Sequence, residues 1–221
     1  MTPLVRFTAA PYAMNADKVH GLTVTDTTGT LTVANGKTVS FADAFSTSGA
    51  FPMTLTATAS TTAAWWTESN QESAWYGSSV RTAGDVNGDG YSDVIVGALR
   101  YDHGELDEGQ AYVYHGSAVG LSQTPAWTAE GDQAEAYLGM STSTAGDVNG
   151  DGYSDVIVGA LGYDGGAVDG GRVLVYHGSA SGLGVEAGWI VEGDQEGAYL
   201  GYAVAMAGDV NGDGYGDVIV G

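Results

Sequence analysis

The sequence predicts an all-β fold, an array of short four-stranded units preceded by a small β-rich segment, and three observations predict it. First, residues 83–98 read AGDVNGDGYSDVIVGA, residues 145–160 repeat that string letter for letter, and residues 207–221 read AGDVNGDGYGDVIVG. Asp85, Asp147 and Asp209 stand 62 residues apart, and a fixed period of that length marks stacked supersecondary units. Second, each period holds four short apolar runs separated by turn residues. Third, 36 glycines and no cysteine in 221 residues describe a chain rich in turns, without disulfides or thiolate metal sites. Four-stranded units at even spacing suit propeller blades. The expected architecture is a partial β-propeller of two full blades and one half blade.

Two regions follow from composition. Residues 1–63 are threonine-rich and lack tryptophan. Residues 12–20 (YAMNADKVH) suit a short helix. After Gly21 the pattern has period two, through Leu22 and Val24, Leu31 and Val33, and Val39 and Phe41. Asn35-Gly36 between two of these runs is a hairpin signal. MTLTATAST at 53–61 reads as a further strand. The region holds few large apolar residues, too few for a core of its own.

Residues 64–221 carry the repeat. Trp65 or Trp66, Trp127 and Trp189 occupy equivalent places and are expected between blades. TESNQESAWYG, TAEGDQAEAYLG and IVEGDQEGAYLG align next. The acidic loop follows, then DVIVGA, then QAYVYHGSAVGL or RVLVYHGSASGL. The β-branched run Val94-Ile95-Val96, bracketed by Asp93 and Gly97, is too short for a helix and suits a buried strand. His115 and His177, one per unit, are expected as packing or turn residues.

The loop is the candidate site. Counted from Asp85, oxygen-bearing side chains fall at positions 1, 3, 5 and 9, namely Asp85, Asn87, Asp89 and Asp93. Tyr91 at position 7 offers its backbone carbonyl, and Gly90 at position 6 permits the sharp turn. The second loop repeats the set as Asp147, Asn149, Asp151, Tyr153 and Asp155, and the third as Asp209, Asn211, Asp213, Tyr215 and Asp217. Calcium takes about six to eight hard oxygens at about 2.3–2.6 Å, which alternate residues of a tight turn can supply. An EF-hand needs a bidentate acid at position 12 and flanking helices. Position 12 here is Val96, Val158 or Val220, so that motif is excluded. Asp, Asn and Gly are also plain turn formers, but a bare turn has no need of three carboxylates. Each like-charge pair at ~4 Å costs about 4 kcal/mol at an effective dielectric of ~20. Magnesium resists losing its waters. About one Ca²⁺ per loop is therefore expected, three in the chain.

YLGMSTSTAGDVNGDGYSDVIVGA and YLGYAVAMAGDVNGDGYGDVIVG resemble FG-GAP repeats, the blades of integrin-alpha-type β-propellers. The family's aromatic-glycine pair stands here as Tyr76-Gly77, Leu138-Gly139 and Leu200-Gly201. Its Gly-Ala-Pro stands as Gly97-Ala98-Leu99 and Gly159-Ala160-Leu161, without the proline. The resemblance covers about 64–221. It implies a calcium-stabilised blade whose loop joins the first two strands, and a role in adhesion or extracellular recognition. MTPLVRFTAAPYAMNADKVHGL is similar to connectors of bacterial surface and phage-fibre-like proteins. Residues 30–61 are similar to tail-fibre stalk segments, which implies a trimeric stalk; the other reading of 1–63 is a plain β-rich linker.

Charge narrows the function. Twenty-seven Asp and Glu against six Lys and Arg give a formal net charge of −21, which argues against nucleic acid and anionic lipid. Nine of the acids lie in the three loops, and three Ca²⁺ would bring the formal charge to about −15. No 18-residue apolar run is present, so no membrane insertion is expected, and residues 1–19 lack the apolar core of a secretion signal. Gly36-Lys37-Thr38 has Leu31 where a phosphate-binding loop needs glycine. No HExxH or GxSxG string occurs. Asp102, Glu105, Asp107 and Glu108, with Asp164 and Asp169 in the counterpart, read as solvated loops; a second cation or a carbohydrate site is the sharper reading.

A propeller closes with about four to eight blades, so the two and a half units are expected to be completed by further sequence or by neighbouring subunits. The function expected is a non-enzymatic, calcium-binding extracellular or cell-surface protein serving adhesion or a surface appendage. Its partners are expected to be copies of itself, as a trimeric stalk or head-to-tail fibre, and a protein or carbohydrate ligand. The alternatives are a self-assembling filament subunit completed by its neighbours' strands, and a propeller-bearing glycoside hydrolase.

Overall fold

The computed structural model describes residues 65–221. The helix expected at 12–20, the hairpin at Asn35-Gly36 and the other strands of 1–63 lie outside the described residues, as does the stalk they would form.

Each unit folds as an antiparallel meander. β1 (Tyr76–Gly84), β2 (Asp93–Ala98), β3 (Gln110–Tyr114) and β4 (Trp127–Glu130) hydrogen-bond in chain order as one four-stranded sheet. β5 (Leu138–Gly146), β6 (Asp155–Ala160), β7 (Arg172–Tyr176) and β8 (Trp189–Glu192) form the second. β9 (Val204–Gly208) and β10 (Asp217–Val220) pair as a half sheet. All strands are antiparallel within sheets, and no helix occurs among the described residues, so the fold is the all-β partial propeller of four-stranded blades that the period implies. β2 and β6 are buried along almost their whole length, as suits β-branched runs covered on both faces.

The blades stack through their faces. Ile95 and Val113 of the first sheet share one core with Val156, Val158 and Leu174 of the second. Ile157, Val173 and Val175 on the opposite face of the second pack with Val204 of the half sheet. The first strands carry small residues, so they approach closely, and Ser79 Oγ meets Thr142 Oγ1 at 2.9 Å inside the contact.

The repeating tryptophan is inter-blade core where its partners are described. Trp127 is buried, meets Tyr176 edge-on at 4.7 Å, and donates its indole N–H to the Gly184 carbonyl at 2.8 Å. Trp65 repeats this with Tyr114 at 5.1 Å and the Ser122 carbonyl at 2.7 Å. Trp65 and not Trp66 is therefore the equivalent residue. Residues 65–68 hold no strand where one is expected at 64–68. Trp189 is 44% exposed.

The closest approach between blades is backbone on backbone. A Cβ placed on Gly97 would stand 1.9 Å from the Gly139 carbonyl oxygen, and one on Gly159 2.0 Å from that of Gly201. The glycine of the Gly-Ala-Leu string in one blade thus packs against the glycine of the Leu-Gly pair in the next. Gly97→Ala should destabilise by about 1–3 kcal/mol through overpacking. Gly184→Ala, whose Cβ would meet nothing closer than 3.4 Å, should be neutral or slightly stabilising. Urea unfolding of both variants checks the pair of outcomes.

Candidate metal centre

Each acidic loop joins the first two strands of its sheet, 85–92 between β1 and β2, 147–154 between β5 and β6, and 209–216 between β9 and β10. Position 1 organises the turn. Asp85 Oδ1 accepts the N–H groups of Gly88 (2.7 Å) and Asp89 (3.1 Å), and Oδ2 accepts that of Gly90 (2.8 Å). Gly88 and Gly90 hold φ of 72° and 87°, which glycine adopts without strain. Asn87 Oδ1 accepts the Asp89 N–H at 3.1 Å, its amide donates to Asp89 Oδ2 at 3.1 Å, and Asp89 Oδ1 accepts the Tyr91 N–H at 2.9 Å. Asp147, Asn149 and Asp151 repeat these bonds, as do Asp209, Asn211 and Asp213.

Position 9 ties the loop into the sheet. Asp93 is fully buried as the first residue of β2. Its Oδ2 accepts the Val86 N–H at 2.9 Å, and its Oδ1 accepts the Gly116 N–H beyond β3 at 2.8 Å. Asp155 does the same with Val148 and Gly178, both at 2.8 Å. Asp217 keeps the first bond, to Val210 at 2.8 Å. Burial pushes the carboxyls of Asp93 and Asp155 above the ordinary aspartate value, against the pull of these N–H donors. At exposed Asp209 the N–H donors, led by Gly214, hold the carboxyl below it.

The donor set fits a hard cation. A carboxylate oxygen has two acceptor sites. Only Asp85 Oδ1 has both filled by N–H groups; Asp85 Oδ2 and the oxygens of Asp89 and Asp93 each keep one. Among the described residues, no hydrogen bond engages the carbonyls of Tyr91, Tyr153 or Tyr215, and no basic side chain pairs with the loop carboxylates: the ion pairs there are Arg100–Asp107, His103–Glu130 and Arg172–Glu192. At least one carboxylate pair in each loop stands wider than 4.8 Å, since the one trio of His and acidic groups within that distance is His103, Glu108 and Glu130.

Two contributions escape a reading of one loop at a time. The Ser154 hydroxyl accepts the Asp85 N–H at 3.2 Å, and the Ser154 N–H reaches the Asp85 carbonyl at 3.0 Å. The Tyr153 ring lies over Gly88, where a Cβ would come within 2.6 Å of it, and Tyr215 lies over Gly150 in the same way. The first and second loops are thus each braced by the tyrosine of the next. His115 packs beside the loop as expected, its Nδ1 3.3 Å from the Asn87 amide.

The second acidic cluster has a structural job. Glu108 is 2% exposed, and its carboxylate accepts the N–H groups of His103 (2.6 Å) and Asp132 (3.2 Å). His103 Nδ1 meets Glu130 Oε2 at 2.8 Å. One period later Gly165 and Gly170 stand for His103 and Glu108, and Arg172 covers Glu192. Asp102 Oδ1 accepts the Asp107 N–H at 2.6 Å, as Asp164 does that of Asp169 at 2.7 Å. Glu105 is exposed.

Comparison with known proteins matches residues 76–114 and 138–176 to the FG-GAP repeat family, which in each full blade is the first strand through the third. Integrin alpha-6 of Gallus gallus is 36% identical over 146 residues, 62% of this chain and 12% of the relative. Integrin alpha-3 of Cricetulus griseus is 34% identical over 161 residues, 70% of this chain and 15% of the relative. Integrin alpha-PS2 of Drosophila melanogaster is 35% identical over 162 residues, 66% of this chain and 11% of the relative. The chain thus spans a small part of the length of the curated relatives it matches.

Positions 5 and 9 of the loop should separate in stability measurements. Asp93→Ala leaves two buried N–H groups without an acceptor and should cost about 1–3 kcal/mol for each, with or without calcium. Asp89→Ala should cost under about 1 kcal/mol in chelator and remove most of the stabilisation that calcium adds. Urea unfolding in EGTA and in calcium checks both.

Proposed function

We propose that this chain, an FG-GAP repeat protein of the integrin-alpha type, is a non-enzymatic adhesion module whose blades are clasped by calcium and which works outside the cell or at its surface. The observation that carries the reading is the triplicated loop, with three carboxylates, free carbonyls at position 7 and no basic side chain to balance them. Asp85, Asn87, Asp89, Asp93 and the Tyr91 carbonyl would hold the first ion. Asp147, Asn149, Asp151, Asp155 and the Tyr153 carbonyl would hold the second, and Asp209, Asn211, Asp213, Asp217 and the Tyr215 carbonyl the third.

The ion's part is electrostatic. It removes repulsion among carboxylates that the fold has already gathered, and one of these in each full blade is buried. Loops of this kind in extracellular modules bind calcium with Kd on the order of 10⁻⁴–10⁻³ M. Such affinity fills the sites only where calcium is abundant, which favours an extracellular setting. The charge of −21 agrees with a protein that meets neither nucleic acid nor anionic lipid. No helix among the described residues is long and apolar enough to cross a membrane. Among the described acids outside the loops, Asp102, Glu108 and Asp164 cap backbone N–H groups, and Asp107, Glu130 and Glu192 are ion-pair partners.

Calcium removal tests the reading. At free calcium about tenfold above Kd, each filled loop adds about 1.4 kcal/mol. A domain of this size shifts its melting temperature by about 2–4 °C per kcal/mol. EGTA should therefore lower the melting temperature by about 10 °C and open residues 64–221 to proteolysis. An unchanged melting curve in EGTA contradicts the clasp. Hydrolysis of any polysaccharide by the purified chain contradicts the non-enzymatic assignment.

A further inference from the structure

The same groove is built twice in this molecule, once at each junction between a tryptophan segment and the blade that follows. The first, of about 420 Å³, runs between residues 66–70 and the outer strands of the first sheet; the second, of about 350 Å³, lies one period later. Both walls are clamped alike. Gln71 exchanges two hydrogen bonds of 2.8 Å with the Asp102 backbone, and Gln133 does so with Asp164 at 2.6 and 3.1 Å.

Their linings differ. The first groove is aromatic, with Trp66, Tyr101, Tyr112 and Tyr114, and has the amides of Asn70 and Gln123 among its polar groups. Trp65 is anchored by its bonds to the blade, so period-two alternation turns Trp66 the other way, and its indole is 66% exposed. Tyr112 is only 7% exposed, and its hydroxyl is buried among the phenols of Tyr76, Tyr101 and Tyr114. In the second groove Thr128 stands for Trp66, Leu174 for Tyr112 and Val185 for Gln123. Of its two remaining aromatics, Tyr176 is buried edge-on against Trp127, and Tyr163 is covered by the Arg172 guanidinium 3.4 Å above the ring.

We propose that the first groove binds a neutral pyranose of a glycan, with Trp66 as the stacking platform. An indole face accepts the apolar C–H face of a pyranose, while amides and a phenol match the hydroxyls around its rim. Pockets of this size that mix aromatic walls with a few polar groups are small-molecule sites, and aromatic side chains pair an apolar face with a polar handle. The one charged residue of the first lining is Glu68, with no Lys or Arg beside it, which disfavours an anionic ligand. A proline-rich peptide also docks on aromatic grooves, but it leaves the amides of Asn70 and Gln123 unused. The assignment names a ligand class for the adhesion reading and rests on it, while the calcium clasp stands or falls separately.

The test is titration of the calcium-saturated full chain with the methyl pyranosides of glucose, galactose, mannose and N-acetylglucosamine, and with a proline-rich decapeptide, followed by tryptophan fluorescence and calorimetry. At least one glycoside should bind. Trp66→Ala should weaken it by at least about tenfold, Gln123→Ala should weaken it severalfold, and Trp66→Phe should retain part of the affinity. Melting temperature, with and without EGTA, should be unchanged by Trp66→Ala, which separates loss of the groove from loss of the fold or of the clasp. Binding of none of the four glycosides, equal binding by Trp66→Ala, or capture of the peptide in place of sugar would overturn the assignment.

Discussion

Everything in the blade turns on the buried carboxylate at the ninth position of the acidic loop. Asp93 opens β2, and its two oxygens hold the N–H groups of Val86 at the start of the loop and Gly116 beyond β3. One side chain therefore fixes the loop against the first three strands. Burial raises its carboxyl above the ordinary aspartate value, so the charge that makes the clasp strong also strains it. Asp89 lies close enough to add to that strain. A divalent cation among these oxygens would convert repulsion into attraction. Among the described residues Arg100 and Arg172 pair with Asp107 and Glu192, away from the loops.

The second constraint is the spacing of the blades. Gly97 lies against Gly139, and Gly159 against Gly201, closer than any side chain allows. The two short strings of the repeat are thus halves of one contact, each half given by a different blade. Their approach brings Ser79 onto Thr142 and lets the apolar faces close into shared cores. It also brings the first and second loops under the tyrosine and the eighth residue of the next. Loop and blade contact therefore support each other: a loop that opens loosens its neighbour's brace.

Much of this was legible in the sequence because the signals are local. Alternating oxygens with glycine at position 6 describe a tight turn, and a β-branched run from Asp93 to Ala98 describes a buried strand. The period then orders four strands into a blade. Contacts one period apart were not legible. Nothing near Gly88 announces that Tyr153 covers it, and nothing near Asp85 announces Ser154. The choice between Trp65 and Trp66 depended on which indole reaches Tyr114. Glu108 read as one more solvated acid because its carboxylate is held by N–H groups of two separate stretches, 103–105 and Asp132. The differences between repeats, Gly170 for Glu108 and Thr128 for Trp66, carry information that the repeat pattern itself averages away.

The clasp is tested most directly by a crystal structure of the calcium-grown protein with anomalous data that locate the ions. The expected result is one calcium in each of the three loops, at about 2.3–2.6 Å from oxygens at positions 1, 3, 5, 7 and 9, with the Asp93 and Asp155 backbone bonds retained. Loops that keep those bonds and show no anomalous peak at saturating calcium would contradict it.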